Sequence, residues 1–358
     1  MNLLFKYLNH WTGPDPRRWA PMLAVYYLTY RCSFRCPYCS DGQGIPYYRL
    51  APDELPGEQA AAVLAAIRKN CSYLVLTGGE PTLYEALPLV LEQAAKLRFR
   101  ELIFTTNGYE ITPVLPQIAS AVTSLVFSLD TLDETKADAW HGYGVGSLRR
   151  ILANIAEASA LPGRRFQIVI SSVVTPGNIE DLYSVYDYAR QRGFLFAACP
   201  QLVGVKAHGD LAGSERYRRF YDFLISEKRG GAAIHGTALY LEHMRDLRKF
   251  RCHPLTMLVV SPLGEVFYPC LEQGKPAGNL LDEDDLEAIR ARGRSLYGDP
   301  PNCDNRCHSA CALGFGLIFE HPWSMASEAA LQLRNALRGF GRPSVAEVTS
   351  SSCSNPTG

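Results

Sequence analysis

The chain lacks an excess of either charge and lacks a long apolar segment. It has 358 residues, with 36 Lys and Arg against 36 Asp and Glu, so no overall field attracts nucleic acid, and we expect no nucleic-acid partner. No apolar run reaches the ~18–20 residues that span a bilayer. The apolar stretch 3–8 is too short for a secretory signal and is broken by Lys6. The expected compartment is therefore the cytoplasm.

The cysteines are unevenly distributed along the chain. Three of the eleven fall between Cys32 and Cys39, and five fall between Cys252 and Cys311. Structural disulfides are rare in the cytoplasm, and tight cysteine clusters there indicate bound metal. The sequence therefore predicts two metal centres. The isolated Cys71 and Cys199 are expected to be buried apolar residues.

Between the two cysteine groups, β-type runs alternate with helix-type stretches. Such repeated βα units build a parallel sheet. They predict an α/β protein with a partial (β/α)6 TIM-type barrel, whose chemistry lies at the carboxyl ends of the strands. The predicted strands are 24–30, 73–77, 102–105, 125–129, 166–174 and 194–198, and the predicted helices are 57–69, 83–97, 112–120, 147–160 and 179–192.

The alternation of predicted strands and helices ends after the sixth strand, which indicates a domain boundary. We expect the barrel over 24–230 and a small cysteine-rich domain over 231–320. The barrel is predicted to end with a helix at 215–228, and the second domain is predicted to begin with a helix at 238–249. The turn Ser261-Pro262-Leu263-Gly264 predicts a hairpin between strands 256–260 and 265–268. A final amphipathic helix is predicted over 321–342 and a disordered tail over 343–358.

The N-terminal extension, 1–23, carries apolar residues at helical spacing. Leu4, Tyr7, Leu8 and Trp11 form one face of a predicted helix. This helix either packs on the barrel or lies weakly on a membrane surface.

The first cysteine group reads Arg31-Cys32-Ser33-Phe34-Arg35-Cys36-Pro37-Tyr38-Cys39, directly after the first predicted strand. Iron–sulfur clusters normally take four cysteines. Three thiolates on one loop leave one iron open to a small molecule, and an open position marks a catalytic rather than a structural metal site. A zinc site and a buried cysteine cluster are the alternatives.

This CxxxCxxC motif, with Tyr38 inside it, resembles the radical S-adenosylmethionine (SAM) superfamily. The resemblance implies a [4Fe-4S] cluster on Cys32, Cys36 and Cys39 whose open iron binds SAM. It further implies that an electron from a donor such as flavodoxin or ferredoxin cleaves SAM to a 5′-deoxyadenosyl radical, which removes hydrogen from a substrate.

Other strand-end segments match the same family. Gly78-Gly79-Glu80-Pro81 resembles the GGEP turn that binds the SAM amino group, and Asn107 and Ser128 follow the third and fourth strands. The resemblance places Ser128 at the SAM ribose and Tyr38 against adenine. One departure concerns the SAM carboxylate. Relatives often carry Arg-Gly where this chain has His141-Gly142, so His141 is the candidate here, although imidazole is a weaker partner than guanidinium.

The second cysteine group combines the predicted hairpin with a tight cysteine run. Cys252 and Cys270, with two of Cys303, Cys307 and Cys311, would form a four-thiolate cage. The segment is similar to the twitch or SPASM appendage of radical SAM enzymes, and five cysteines favour a single auxiliary [4Fe-4S] cluster. Zinc is the alternative, since soft thiolates suit both metals.

The resemblance leaves the substrate open. An auxiliary cluster suits an oxidation or a bond-forming step. Because about 23 residues precede the first predicted strand, too few for a leader-binding domain, we expect a small-molecule, sugar or lipid substrate. A peptide (RiPP) maturase of the same superfamily is one alternative. The other is a non-enzymatic electron-transfer or sensing protein that binds Fe–S or zinc.

Overall fold

The computed structural model of the protein describes residues 21–41, 44–270, 274–300 and 307–323. Its strands are short runs of aliphatic, β-branched and aromatic residues, which pack well on a pleated surface. They are β1 (Leu23–Tyr27), β2 (Tyr73–Thr77), β3 (Glu101–Thr106), β4 (Ser124–Ser128), β5 (Gln167–Val174), β6 (Leu195–Pro200), β7 (Leu202–Val203), β8 (Lys206–Ala207), β9 (Met257–Val260), β10 (Glu265–Tyr268) and β11 (Lys275–Asn279).

Four of the ten described α-helices begin at a capping side chain. The Ser214 side chain accepts the N–H of Tyr217, and the Thr237 side chain accepts the N–H of Tyr240, each satisfying a free donor of the first turn. The helices are α1 (Gly57–Asn70), α2 (Leu87–Leu97), α3 (Leu115–Ala121), α4 (Glu134–His141), α5 (Ser147–Ala160), α6 (Asp181–Gln191), α7 (Glu215–Arg229), α8 (Ala238–Asp246), α9 (Leu286–Tyr297) and α10 (Ala310–Glu320).

One sheet of nine strands organises the fold, in the order β11-β10-β9-β1-β2-β3-β4-β5-β6. Strands β1 to β6 are parallel neighbours, connected through helices on the outside. Strand β9 adds in parallel to β1, and the β9–β10–β11 meander is antiparallel. All six βα strands therefore end at the same edge, where loops carry side chains toward a common site.

The two faces of the barrel sheet differ in packing. Side chains such as Leu74 and Leu76 are fully buried and pack with α1 residues such as Val63 and Leu64 in the main core. The alternate side chains of β2, β3 and β4 are only partly buried and line the barrel interior. A separate small cluster of Tyr27, Met257 and Val259 fills part of that interior, and its neighbours include Phe267 and Phe315.

The predicted barrel is confirmed, with strand and helix boundaries within a few residues of those expected. The helix predicted over 83–97 begins only at Leu87, after a 3-10 turn at Pro81–Leu83, and residues 112–120 begin with a 3-10 turn at Thr112–Val114. Helices α4 and α10 were not anticipated. The predicted hairpin is present, but its strands extend the barrel sheet through β9, so the division at residue 231 stays a prediction.

Several predictions fall on residues that lie outside the described ones. They are the N-terminal helix, most of the helix over 321–342, the tail over 343–358, and Cys303. Within the described ranges, no helix combines the length and apolarity needed to cross a membrane.

Candidate functional site

The loop that carries the first cysteine group is bonded directly to the turn after β2. The N–H of Gly79 donates to the carbonyl of Thr29 at 2.8 Å, and the N–H of Glu80 donates to the carbonyl of Arg31 at 2.7 Å. These bonds continue the β1–β2 pairing beyond the strands. They therefore hold the GGEP-like turn against the loop that begins at Cys32.

This close approach requires glycine at both turn positions. A Cβ on Gly78 would lie 2.4 Å from the carbonyl oxygen of Thr29, and one on Gly79 would lie 2.4 Å from that of Arg31. Both distances are far inside van der Waals contact, and both neighbours are backbone atoms that cannot rotate away. The two glycines thus set the spacing between the two loops.

The three thiols belong to one loop, on which Cys32 and Cys36 are partly buried and Cys39 is exposed. Burial raises the pKa of Cys32 to about 11. Burial and Cys39 raise the pKa of Cys36 well above its usual range. Three adjacent thiolates are costly here without a positive partner, so the donor set fits a cationic iron–sulfur cluster. In the described ranges, no three His, Cys, Asp or Glu side chains converge on a single-ion position.

Glu80 is the buried centre of a hydrogen-bond network at the strand ends, with 1% of its surface exposed. Its Oε1 accepts from the N–H and hydroxyl of Thr82 and from the hydroxyl of Thr106, and its Oε2 accepts from the N–H of Asn107 at 2.6 Å. Burial raises its pKa, while these donors oppose the shift. A carboxylate offers about four acceptor positions, so these four donors fix the Glu80 side chain at the strand ends.

Tyr38 connects the cysteine loop to the other side of the barrel. Its hydroxyl donates to Oδ2 of Asp130, while Oδ1 of Asp130 accepts the N–H of Val173 at 2.6 Å. The Tyr38 ring meets the edge of Trp140 with centroids 5.4 Å apart. The aromatic ring expected at adenine is therefore held at the loop by its hydroxyl, just beyond the ends of β4 and β5.

The Asn107 side chain is hydrogen-bonded to the cysteine loop, whereas the Ser128 side chain is exposed. The Asn107 Nδ2 donates to the Ser33 hydroxyl at 3.2 Å, while its backbone N–H bonds Glu80. Ser128 ends β4 with an exposed side chain on the interior face. Both residues thus lie at the barrel edge that the resemblance predicts.

His141 supports the cysteine loop through ring stacking. Its imidazole lies 4.1 Å from the Phe34 ring in a nearly parallel stack, and its Nδ1 contacts the Ser147 hydroxyl at 2.8 Å. Its carbonyl accepts the N–H of Arg35. Burial lowers the pKa of His141 to about 4, so the ring is neutral at pH 7. A neutral ring supplies no charge for a carboxylate, and its role toward SAM stays a prediction.

The second cysteine group is assembled from distant parts of the fold. Cys252 follows α8, Cys270 follows β10, and Cys307 and Cys311 flank the start of α10. The segment before α10 is fixed to the β7–β8 ribbon, since the N–H of His308 donates to the carbonyl of Val205 at 2.8 Å. Of these thiols, Cys270 is buried and Cys311 is exposed. Whether they share one metal stays a prediction.

Cys199 was missed as a functional candidate. Cys71 is buried, as expected, but Cys199 is only partly buried, on the interior face at the end of β6. Burial raises its pKa to about 12, with further contributions from Asp130 and Cys311. The thiol therefore lies near Asp130, the hydrogen-bond partner of Tyr38, and near Cys311. Its predicted position at the carboxyl end of a strand could have indicated this role, because the carboxyl ends of the barrel strands lie at the site.

Comparison with known proteins agrees with this geometry. The sequence model of the Radical SAM superfamily matches residues 26–189, which cover β1 through most of α6 and include all three cysteines of the first group. Residues 26–189 therefore form a domain of the radical SAM superfamily. Members of this superfamily use a [4Fe-4S] cluster and SAM, and solved relatives contain bound SAM. The predicted family is thereby confirmed.

Two relatives illustrate the range of the similarity. The chain is 32% identical over 163 residues to a GTP 3′,8-cyclase of Geobacter sulfurreducens, covering 43% of this chain and 48% of the relative. The chain therefore spans about half the length of that relative. It is 27% identical to the mycofactocin maturase MftC of Mycolicibacterium smegmatis over 75% of this chain and 70% of the relative.

Solved structures with similar folds are more distant in sequence. SuiB of Streptococcus suis bound to SAM has a TM-score of 0.60 at 20% identity, covering 78% of this chain and 66% of that chain. The SAM-bound anSMEcpe has a TM-score of 0.58 at 15% identity, covering 88% and 97%. These likenesses support the barrel fold alone.

Proposed function

We propose that this chain is a radical SAM enzyme. When bound, a reduced [4Fe-4S] cluster with SAM supplies a 5′-deoxyadenosyl radical that removes a hydrogen atom from the substrate. The observation that carries this proposal is the single loop with Cys32, Cys36 and Cys39, bonded to a glycine turn that leads into buried Glu80.

The chain's own residues have distinct parts in this proposal. The three cysteines would hold the cluster, and the glycine turn with Glu80 would accept from the SAM amino group. Tyr38, positioned by Asp130, borders the adenine. Asn107 braces the loop through Ser33. Because these groups are hydrogen-bonded before SAM arrives, little side-chain ordering remains for the binding step.

The second cysteine group supports a proposal of an auxiliary [4Fe-4S] cluster. Its ligands would be Cys252 and Cys270, with two of Cys303, Cys307 and Cys311. The β9–β10 hairpin joins the barrel through β1, which would fix such a cluster relative to the interior. This arrangement supports an oxidation or a bond-forming step at the substrate.

The barrel interior favours an uncharged small substrate. Strands β1 to β6 contain no lysine or arginine, while their upper interior positions are small and mostly polar. These are Thr77, Thr105, Ser128, Ser171 and Cys199. A nucleoside triphosphate requires several cationic partners. We therefore favour a sugar, lipid or other neutral molecule over GTP, the substrate in the name of one relative.

Peptide maturation is the second candidate. It is favoured by the match to a mycofactocin maturase over 70% of that protein. SuiB has also been solved with its precursor peptide SuiA, at a TM-score of 0.60.

The test is anaerobic iron reconstitution followed by dithionite and SAM. We expect 5′-deoxyadenosine from the wild type and none from the protein with Cys32, Cys36 and Cys39 changed to alanine. No product from a fully loaded wild-type cluster would contradict the proposal and favour an electron carrier. A deuterated cell extract, separated by size, then identifies the substrate class. Label reaching deoxyadenosine from the small-molecule fraction supports our choice, and label from the peptide fraction supports maturation.

A further inference from the structure

Two arginines beside the cysteine loop, Arg35 and Arg49, share one exposed aromatic ring. The guanidinium carbons of Arg35 and Arg49 lie 4.9 and 5.8 Å from the ring centre of the exposed Tyr48. Neither arginine forms an ion pair within the described part of the chain. Two like charges at one ring repel each other, and a cation–π contact offsets only about 0.5–1 kcal/mol at an exposed position.

Neighbouring arginines differ in this respect. Arg31 pairs with Glu54 at 2.6 Å, and Arg150 pairs with Glu110 at 2.7 Å. Of these four arginines, only the two at Tyr48 form no ion pair in the described part of the chain.

The arginine pair lies within a partly apolar surface, which we call the Tyr48 patch. It consists of Ile45, Tyr48 and Arg49 on one side of Arg35, and Tyr143 and Val145 on the other. Val145 is 91% exposed, and Tyr143 and Tyr48 are 47% and 39% exposed. Gly142 lies against Arg35, because a Cβ there would be 3.4 Å from the Arg35 Cβ. Exposed aromatic and arginine side chains are typical of protein docking surfaces.

The patch is rigidly connected to the cysteine loop. Arg35 Nη1 donates to the carbonyl of Cys32 at 2.6 Å and to that of Phe34 at 2.9 Å. On the other side, the Tyr47 ring stacks on Tyr27 with centroids 5.9 Å apart, so the adjoining Tyr48 and Arg49 are presented from an anchored segment. A molecule bound to Arg35 would therefore be connected to the carbonyl of Cys32, a predicted cluster ligand, through the hydrogen bond that Arg35 donates.

We propose that the Tyr48 patch docks a small acidic one-electron carrier protein. This inference rests on the proposed function, in which an electron must reach the first cysteine site from outside. Charge complementarity selects the occupant, since uncompensated arginines accelerate the approach of an acidic partner. The patch is small, as is usual for short-lived electron-transfer encounters.

The test uses a purified bacterial flavodoxin as the acidic carrier and Arg49→Glu as the variant. The Arg49 guanidinium contacts only the Tyr48 ring in the described part of the chain, so the change should leave the cysteine loop intact. The matched control is Arg192→Glu. Arg192 also lies on a tyrosine, 3.9 Å from the Tyr188 ring centre, but it follows α6 at the opposite end of the barrel.

Two measurements are needed, and the first is independent of turnover. Flavodoxin affinity, measured by titration calorimetry at low ionic strength, should fall about tenfold in Arg49→Glu and remain within about twofold in Arg192→Glu. Wild-type affinity should weaken as salt rises, since screening reaches ~8 Å at physiological ionic strength. Stopped-flow reduction of the loaded cluster by reduced flavodoxin should slow in parallel, whereas dithionite should reduce wild type and variant alike.

The alternatives have distinct outcomes. Equal flavodoxin affinity in Arg49→Glu and Arg192→Glu, or no binding by the wild type, would overturn the proposal. Binding of the wild type to anionic vesicles but not to flavodoxin would overturn it as well and assign the patch to a membrane. If Arg49→Glu fails to fold, Arg49→Gln provides the same comparison. Failure of the proposed function would instead appear with dithionite, as a reduced cluster that yields no 5′-deoxyadenosine.

Discussion

The two cysteine regions differ in how the chain brings their thiols together. In the first, Cys32, Cys36 and Cys39 belong to one loop, and backbone bonds from Gly79 and Glu80 fix that loop to the next strand end. In the second, the cysteines follow α8 and β10 or flank the start of α10, so a site that they shared would depend on the packing of the C-terminal half. A local site can be recognised from spacing, whereas an assembled site depends on long-range packing.

The largest expected effect separates the two regions by their iron content. We expect about eight irons per chain in the wild type and about four after Cys32, Cys36 and Cys39 are changed to alanine. Cys270→Ala should instead spare the first cluster and its SAM cleavage. Anaerobic iron and sulfide analysis measures both. Loss of all iron from the folded triple variant would show that the second site does not bind its own cluster.

A smaller effect is expected from the close approach of the two loops. Gly79→Ala should lower stability by about 1–3 kcal/mol and release iron from the first site, because its Cβ would overlap the carbonyl of Arg31. Gly209→Ala is the control, since a Cβ there meets no atom within 4 Å. Thermal unfolding and iron retention in both variants check this. An unchanged first site in Gly79→Ala would mean that the loops can separate without loss.

The smallest expected effect concerns the support of the loop by His141. Its pKa of about 4 lies below the usual 6.5 because of burial, so between these values the unfolded chain binds a proton that the folded protein does not. Stability should therefore fall, by about 1 kcal/mol, as pH drops from 7 to about 5.5. In His141→Phe, which keeps the stack on Phe34, this part of the pH dependence should disappear. Thermal midpoints of both proteins across that range measure it, and identical pH profiles would exclude the assignment.

The sequence predicted the barrel and the first site because both depend on local patterns. Alternating strands and helices produced β1 to β6, and the spacing of Cys32, Cys36 and Cys39 located the loop. The attachment of β9 to β1 could not be predicted, since turn chemistry at Ser261-Pro262-Leu263-Gly264 defines a hairpin but not its distant neighbour. Helix α10 was missed because its residues are apolar on nearly all sides and show no amphipathic period.

The hydrogen bonds between side chains on different strands could not be predicted from the sequence either. Nothing in the spacing of residues 80 to 107 shows that Glu80 accepts from both Thr106 and Asn107. The nearness of Cys199 to Asp130 and Cys311 is likewise a long-range feature of the fold. Such contacts join residues on different strands, and they become visible only when the strand ends meet at one edge.

The most direct test of the central claim is Mössbauer spectroscopy of the first cluster. It should be recorded with and without SAM in ⁵⁷Fe-loaded Cys270→Ala, in which the second cysteine group has lost a ligand. With three protein thiolates at Cys32, Cys36 and Cys39, we expect one iron of the cube to change its spectrum when SAM is added, while the other irons keep theirs. Four equivalent thiolate-bound irons that do not respond to SAM, or zinc in their place, would contradict the account.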